Sequence, residues 1–234
     1  MKKFSFKQFD IIQENAGMKL TTDAVIFGSW VDVGKSKKIL DIGTGTGILS
    51  IMLAQRTEKS DITAIEIDKI AVNEAKINVK NCKWSKNIEV VEIDFLEFAK
   101  KTNSKYDLII CNPPYYQEHL MSINEKEQKA KHSTNLSYES LISNASKLLE
   151  YSGEFALIAP FFAYQKINYL CNKNMLFCKK KCIVRAETKK TPTRVLMQYT
   201  FTPCKTNEYE LVIKNDIHYT KDFLHLTSDF YIFA

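Results

Sequence analysis

Short apolar runs alternate with longer stretches of helical periodicity between residues 37 and 160. Five runs rich in Ile, Val and Leu end in turn-forming or acidic residues, and they cover residues 37–43, 61–68, 88–94, 106–112 and 153–160. Such runs are typical of buried parallel strands. The stretches 69–82 and 137–150 place apolar residues three and four positions apart, which predicts helices. Together they predict a doubly wound α/β fold with helices on both faces of the sheet.

The pattern changes after residue 160. Residues 178–187 and 194–203 are predicted to be two strands joined by a basic turn, forming an antiparallel pair that closes one sheet edge. The prediction is therefore a mainly parallel, seven-stranded sheet with an antiparallel edge. Residues 208–216 and 230–233 are expected to cover it. We expect one domain at 37–203, with an N-terminal segment (1–36) and a C-terminal covering segment (204–234) as parts of it.

The composition is that of an ordinary globular protein. Of the 234 residues, 45% are apolar and 26% are charged, as in typical globular chains. The longest nearly uncharged apolar run, residues 155–164, is far shorter than the roughly 20 residues that span a membrane. Lys7 and Asp10 interrupt the apolar core that a signal peptide would need. We therefore expect a cytoplasmic protein.

The six cysteines and four histidines predict neither a disulfide framework nor a metal site. No CxxC pair occurs, and the spacing of Cys171, Cys178 and Cys182 fits no common zinc pattern. The histidines also lack metal-ligand spacing. We expect free, mostly buried thiols and no metal.

Three of the seven glycines lie within five residues, in the sequence LDIGTGTGILS. The loop follows one predicted strand and opens one predicted helix, where glycines let a backbone approach a ligand closely. Its GxGxG spacing differs from the GxGxxG of dinucleotide enzymes, and no Walker-type lysine follows it. Asp41 precedes the first glycine by two residues. It is expected to lie where a pyrophosphate would otherwise lie, which disfavours a phosphate ligand.

Two further carboxylates fall at the ends of the next predicted strands. Glu66 is placed to accept hydrogen bonds from ribose hydroxyls. Asp94 is suited to accept from an adenine amino group, and Phe95 after it to flank the ring. The alternative for each carboxylate is a helix N-cap. Because three adjacent strand ends carry these groups together, the sequence predicts a nucleoside pocket.

The sequence NPPY follows the fourth apolar run. Pro113 and Pro114 form a stiff elbow at the sheet edge that also carries the glycine loop. An amino group conjugated to an aromatic ring is a poor nucleophile. The side-chain oxygen of Asn112 and the carbonyl oxygen of Pro113 would accept its hydrogens and turn its lone pair toward a methyl donor, while Tyr115 stacks on the base. A strand-ending turn is the alternative.

These motifs carry a resemblance to a known family. LDIGTGTG, AIEID, EIDF and NPPY are similar, in order and spacing, to class I S-adenosylmethionine-dependent methyltransferases that methylate exocyclic or amide nitrogens. The segments FKQFDIIQENAGMKLTTDAVIFGSW, AKHS and YTKDFLHLTSDFYIF resemble the bacterial tRNA1(Val) adenine-37 N6-methyltransferase family, over nearly the full chain. The resemblance implies a Rossmann-like fold, S-adenosylmethionine as cofactor and tRNA as substrate. The implied reaction methylates N6 of an adenosine, at position 37 of the anticodon loop.

The resemblance also implies roles for individual residues. The cofactor-binding residues fall on Thr22, Asp23, Asp41, Gly43, Thr44, Gly45, Gly47, Glu66, Asp94 and Phe95, of which the first two belong to the segment that closes over the cofactor. The catalytic motif falls on Asn112, Pro113, Pro114 and Tyr115, and the substrate contacts on Tyr115 and Tyr116. The chain departs from the family at Lys131, His132 and Ser133, where the family tends to show Arg-His-Glu. A substrate contact by Lys131 and His132 is therefore not assigned.

The positive charge is concentrated between residues 173 and 194. This stretch contains eight basic residues and one acidic residue, Glu187. The surplus of seven exceeds the net charge of +6 of the whole chain. Beyond Lys173, the residues predicted to bind tRNA are Lys179, Lys180, Lys181, Arg185, Lys189, Lys190 and Arg194. Backbone contacts by such residues would make RNA binding salt-sensitive. The alternative is a lysine-rich sheet edge that prevents strand aggregation.

Several functions are compatible with the elbow motif. The first is an RNA adenine N6-methyltransferase acting as a monomer on a tRNA anticodon loop, where bases are partly unstacked. A protein-glutamine methyltransferase shares the same motif, but only 36 residues precede the first predicted strand, too few for the helical domain expected there. A DNA methyltransferase would need room for a target-recognition domain. A non-catalytic nucleic-acid-binding protein with the same fold is the third alternative.

Overall fold

The computed structural model describes residues 3–14, 20–57, 59–113 and 136–232. The strands of these residues are β1 (Lys3–Ser5), β2 (Asp10–Ile12), β3 (Lys38–Ile42), β4 (Asp61–Glu66), β5 (Ile88–Glu92), β6 (Tyr106–Cys111), β7 (Leu149–Pro160), β8 (Phe177–Glu187), β9 (Arg194–Thr200), β10 (Asn207–Asn215) and β11 (His218–Tyr219). The α-helices are α1 (Thr22–Trp30), α2 (Ile48–Thr57), α3 (Lys69–Lys80), α4 (Phe95–Lys101), α5 (Tyr138–Leu148), α6 (Tyr164–Lys173) and α7 (Lys221–Thr227).

The main sheet has the strand order β11-β10-β8-β9-β7-β6-β3-β4-β5. Strands β3 to β7 are parallel, and β9 runs antiparallel to both β7 and β8. This confirms the predicted α/β sheet with its antiparallel pair. The described sheet has two strands more than predicted, because β10 pairs with β8 in parallel and β11 pairs with β10. Strand β8 is therefore internal, and the alternative of a lysine-rich edge at β8 is wrong.

Consecutive residues of the central strands face opposite sides of the sheet. In β6, for example, Ile110 packs in a first core and Ile109 in a second. The first core includes residues of α1, α2, α3 and α7, and the second includes residues of α4, α5 and α6. Because helices cover both faces, the strands are apolar on both sides, as the unbroken Ile, Val and Leu runs predicted.

The N-terminal and C-terminal segments pack against each other. The ring of Phe6 lies 4.8 Å from that of Phe9 and 5.7 Å from that of Tyr231, measured between centroids. The backbone N–H of Lys7 donates to the carbonyl of Phe230 at 2.9 Å. Phe230 and Tyr231 are buried, so this part of the chain end covers the core as expected. The three-part division at residues 36 and 203 stays a prediction.

Disulfides, metal sites and membrane-spanning helices are absent from the described residues. All six thiols are free, and five of them are buried, as expected. Within the described ranges no group of His, Cys, Asp or Glu side chains is arranged to hold a metal ion. Likewise, no helix in the described part of the chain is long and apolar enough to cross a membrane.

Candidate active site

The glycine loop connects β3 to α2 at the carboxyl edge of the sheet. Gly43, Gly45 and Gly47 have φ values of +70°, +57° and +84°, a backbone conformation that favours glycine. A Cβ atom added at Gly43 or Gly45 would meet no described atom within 4 Å. These two glycines are therefore not required by internal packing. They give the loop an open surface that a ligand can approach.

Asp41 is fully buried next to this loop. Its Oδ2 accepts hydrogen bonds from the hydroxyls of Thr44 at 2.6 Å and Ser50 at 2.7 Å. Burial raises the pKa of Asp41 to about 6, although the two hydroxyls oppose the shift. The carboxylate thus ties the loop to the first turn of α2. Asp41 is 0% exposed in this arrangement, and its expected position in place of a pyrophosphate stays a prediction.

Glu66 joins the end of β4 to the glycine loop. Its Oε2 accepts from the backbone N–H of Gly45 at 3.0 Å, and its Oε1 accepts from the N–H groups of Ile67 and Asp68. The structure therefore brings together two residues that were predicted from separate motifs. Ile67, which the sequence reasoning missed, lies beside them with 55% of its surface exposed. Its signal in the sequence is an apolar residue directly after a strand-end acid.

Asp94 and Phe95 lie at the end of the next strand, where α4 begins. One carboxylate oxygen of Asp94 accepts from the N–H groups of Leu96 and Glu97 at 2.8 and 3.1 Å. Asp94 is therefore a helix N-cap, the alternative considered for it. Phe95 packs in the second core and is 5% exposed. Its ring presents almost no open face, so the expected flanking contact with an adenine ring is not supported.

The chain leaves the sheet after Cys111, and the elbow that follows lies beside the glycine loop. Ile42 is paired with Cys111 across β3 and β6, so Gly43 and Asn112 are the next residues on neighbouring strands, which lie about 4.8 Å apart. Asn112 is half-buried and Pro113 is buried. Pro114, Tyr115, Tyr116, Lys131 and His132 lie outside the described residues. Their predicted roles stay predictions.

Comparisons with known proteins agree with this arrangement. The sequence profile of the Methyltransferase small domain family matches residues 21–190. The chain is 37% identical to the tRNA1(Val) (adenine(37)-N6)-methyltransferase of Haemophilus influenzae over 99% of both chains. It is also 37% identical to the enzyme of that name from Bacteroides fragilis, over 98% of this chain and 97% of the other. The chain belongs to the tRNA1(Val) (adenine(37)-N6)-methyltransferase family.

Solved structures support the fold of this tRNA1(Val) methyltransferase family member. The "predicted O-methyltransferase" of Agrobacterium tumefaciens aligns with a TM-score of 0.69 at 19% identity, covering 89% of this chain and 96% of that one. A methyltransferase from Pyrococcus furiosus aligns with a TM-score of 0.58 at 20% identity, covering 82% and 89%. At these identities the likeness establishes the fold, which is the methyltransferase fold predicted from the sequence.

The basic stretch of this family member is largely compensated by carboxylates, all but one of which, Glu187, come from elsewhere in the chain. Ion pairs join Lys179 to Asp32 and Glu154, Lys181 to Glu208, Arg185 to Glu210, Lys190 to Glu187 and Arg194 to Asp23. Lys180 donates to the carbonyl of Trp30 and lies 4.3 Å from the centroid of its ring. The surplus counted in the sequence is thus not a free positive surface. The assignment of tRNA contacts to the stretch stays a prediction with less support.

The position of Lys179 reduces that support further. Lys179 contacts Glu154, which is paired with Leu108 near the start of β6. Strand β6 reaches the elbow only at its other end. Lys179 therefore lies toward the amino edge of the sheet, opposite the glycine loop and Asn112. Lys189 is exposed in the turn after β8, and no ion pair involves it among the described residues.

Thr22 and Asp23 lie at the start of α1. The carboxylate of Asp23 accepts from the Arg194 guanidinium at 2.7 Å, and Thr22 hydrogen-bonds the phenol of Tyr231. These contacts hold the start of α1 to β9 and to the C-terminal segment. A direct contact of Thr22 or Asp23 with cofactor stays a prediction.

Asn78 of α3 is a site residue that sequence reasoning missed. It is 1% exposed, and its amide donates to the carbonyls of Ile12 at 3.0 Å and Thr46 at 2.9 Å. Its Oδ1 accepts from the N–H of Ile12 at 2.8 Å. One side chain therefore connects β2, which pairs with β1 in an antiparallel N-terminal hairpin, to the glycine loop. No sequence signal separates this asparagine from others on helices.

Replacing Asn78 with leucine is expected to lower the free energy of unfolding by about 2–4 kcal/mol, because the half-buried backbone groups of Ile12 and the buried carbonyl of Thr46 lose their partners. The Ile12 amide should also exchange its hydrogen faster. Urea unfolding and hydrogen exchange measure both effects. Asn73→Leu, on the exposed side of the same helix, is the matched control and should change stability by less than about 0.5 kcal/mol. Equal stability of the two variants would contradict this role.

Proposed function

We propose that this chain transfers a methyl group from S-adenosylmethionine to N6 of adenosine 37 in tRNA1(Val). The observation that carries the proposal is the placement of the Asn112–Pro113 elbow directly beside the open glycine loop, in a chain with full-length relatives of that activity. The relatives' names favour tRNA over a protein glutamine. No described contact favours the amide substrate.

The described residues fit S-adenosylmethionine. The glycine loop offers an open backbone surface, and the Glu66 carboxylate next to it has acceptor capacity for ribose hydroxyls. Ile67 offers exposed apolar surface for the adenine ring, and Asp94 lies at the end of the following strand. When bound, the cofactor supplies an electrophilic methyl group on a sulfonium. Asp41 acts indirectly by holding the loop, as its burial requires.

The elbow residues prepare the target amine. The Asn112 side-chain oxygen and the Pro113 carbonyl accept the two hydrogens of the adenine amino group. This directs the nitrogen lone pair toward the glycine loop, where the methyl donor is held. The gain in rate comes from position and from fixed carbonyl dipoles. The amine is neutral when it reacts, so no general base is required before methyl transfer. As the nitrogen-to-methyl bond forms, the methyl-to-sulfur bond would break with release of the neutral thioether, and the extra proton on the methylated nitrogen would be lost to water.

The substrate adenosine reaches this site from a loop. Bases of an anticodon loop are partly unstacked, so extruding one costs less than in a duplex. Tyr115, and Tyr116 after it, supply the stacking surface for the extruded base. We place the enzyme in the cytoplasm, because tRNA is modified there, and we propose that it acts as a monomer.

Mass spectrometry of nucleosides tests the proposal. Full-length protein is incubated with unmodified tRNA1(Val) transcript and methyl-labelled S-adenosylmethionine, and the tRNA is then digested. Labelled N6-methyladenosine is expected, and nuclease fragments should place it at position 37. A transcript with guanosine at position 37 is the control. Label in added protein with none in tRNA would contradict the proposal.

A further inference from the structure

One face of α6 and the turn before it carries exposed aromatic and basic side chains in alternation. Lys166, Tyr169 and Lys173 follow one another at spacings of three and four residues, which places them on one face of α6, and Phe162 lies in the turn directly before the helix. Phe162 and Tyr169 are 74% and 67% exposed, and both lysines are exposed. The opposite face, which includes Ile167, is buried in the second core. We call these four residues the α6 stripe.

The stripe starts at the edge of the sheet that carries the elbow. Strand β7 lies beside β6 in parallel, with Leu157 paired to Cys111. It ends at Pro160, and the turn Phe161–Ala163 leads into α6. Since strands are about 4.8 Å apart and rise about 3.3 Å per residue, Phe162 lies within about 15 Å of Asn112. The remaining residues extend away from the elbow by about 16 Å along the helix.

Within the described ranges the positive charge of the stripe is at most weakly paired, whereas the basic residues on β8 are mostly paired with carboxylates. Among the described residues Lys166 has no ion pair. Lys173 has one, to Glu139 at 3.7 Å, in which both side chains are more than half exposed. An ion pair between two exposed side chains contributes little to stability, so it holds Lys173 only weakly. The sequence of α6, YQKINYLCNK, contains no acidic residue, so nothing on the helix itself opposes an approaching phosphate.

We propose that the α6 stripe is the surface that holds the tRNA beside its target adenosine. Phe162 and Tyr169 stack on unpaired bases, and Lys166 contacts the phosphate backbone. Exposed aromatic side chains next to a lysine such as Lys166, unpaired within the described part of the chain, are a combination suited to binding single-stranded RNA. The inference rests on the proposed function, since it names the substrate surface of that site.

Binding measurements on the full chain test the stripe. The affinity for unmodified tRNA1(Val) transcript is measured by fluorescence anisotropy, and that for S-adenosylmethionine by calorimetry. Phe162→Ala and Tyr169→Ala should each weaken tRNA binding on the order of 5- to 150-fold. Lys166→Glu should weaken it and reduce the slope of log affinity against log salt by about 0.7 or more. Cofactor affinity should stay unchanged.

The chain offers matched controls. Tyr151 is 82% exposed. It lies near the start of β7, the strand that leads to the stripe, and is therefore away from the elbow. Lys76 is exposed on α3, which packs on the other face of the sheet. Tyr151→Ala and Lys76→Glu should bind tRNA like the wild type.

The outcomes separate this inference from the proposed function. If wild-type protein forms N6-methyladenosine in tRNA but the three stripe variants bind tRNA as tightly as the controls do, the stripe is not the RNA surface and the function stands. If wild-type protein fails to methylate tRNA, the proposed function fails whatever the variants show. Selective loss of tRNA affinity in the stripe variants, with cofactor affinity retained, supports the inference.

Discussion

Replacing Asn112 with alanine is expected to reduce methyl transfer about 10²- to 10³-fold, the scale found when one preorganised hydrogen-bonding group is removed from an active site. In the proposed mechanism the side-chain oxygen of Asn112 is one of two acceptors that orient the target amine, and no other described side chain replaces it at the end of β6. Affinity for S-adenosylmethionine should change by less than about threefold, because the proposed cofactor contacts lie at the ends of the neighbouring strands. Single-turnover transfer to tRNA and calorimetry measure the two quantities.

Two variants separate orientation of the amine from damage to the fold. Asn112→Asp keeps an acceptor oxygen at the same place and should retain part of the activity that alanine loses. Asn73→Ala, on the exposed side of α3, should transfer like the wild type. Because Pro113 is buried next to Asn112, unfolding curves of each variant accompany the kinetics. Normal turnover in a well-folded Asn112→Ala protein would refute the catalytic assignment.

The sequence predicted the central part of the site because strand ends of a parallel sheet share one edge. Asp41, Glu66 and Asn112 each follow or end an apolar run, and no tertiary information was needed to place them together. The bond between Glu66 and the Gly45 amide is the structural result of that rule. Apolar periodicity, a separate signal, predicted the five parallel strands β3 to β7 and the helices α2, α3 and α5.

Charge pairing could not be predicted, because its partners are far apart in the sequence. Asp23 precedes Arg194 by 171 residues, and Asp32 precedes Lys179 by 147. Counting charges in a window detects the basic residues and misses the carboxylates that fold onto them. Nor does a window reveal that Lys166, in a stretch of ordinary composition, keeps its charge exposed.

Burial and strand partners were also beyond local patterns. Phe95 follows a strand-end acid, the position that predicted a ligand contact, yet it packs into the second core at the start of α4. Residues 208–216 were expected to cover the sheet. The sequence does not show that β10, which most of them form, pairs with β8 and extends the sheet. Asn78 connects two segments through backbone groups, which leave no trace in the sequence.

Replacing Asp41 with asparagine is expected to remove a large pH dependence of stability. Burial raises the pKa of the Asp41 carboxyl from 3.8 to about 6, while hydrogen bonds from Thr44 and Ser50 oppose the shift. Between these two values the unfolded chain releases its proton and the folded chain keeps it. Stability from this group is therefore fully present below pH 4 and is lost as the pH rises through 6. The loss amounts to about 3 kcal/mol.

The difference in unfolding free energy between wild type and Asp41→Asn isolates this effect, since other titrations are common to both. Measured by urea unfolding from pH 3.5 to 7.5, the wild type should lose stability relative to the variant as the pH rises from 4 to 6. Asp10→Asn is the control of opposite sign, because hydrogen bonds from Ser5 and Lys3 lower the pKa of Asp10. Its contribution is present at neutral pH and is lost on acidification. A difference curve for Asp41→Asn that is flat between pH 4 and 7 would show that the carboxylate is hydrated, and that it does not hold the glycine loop as a buried group.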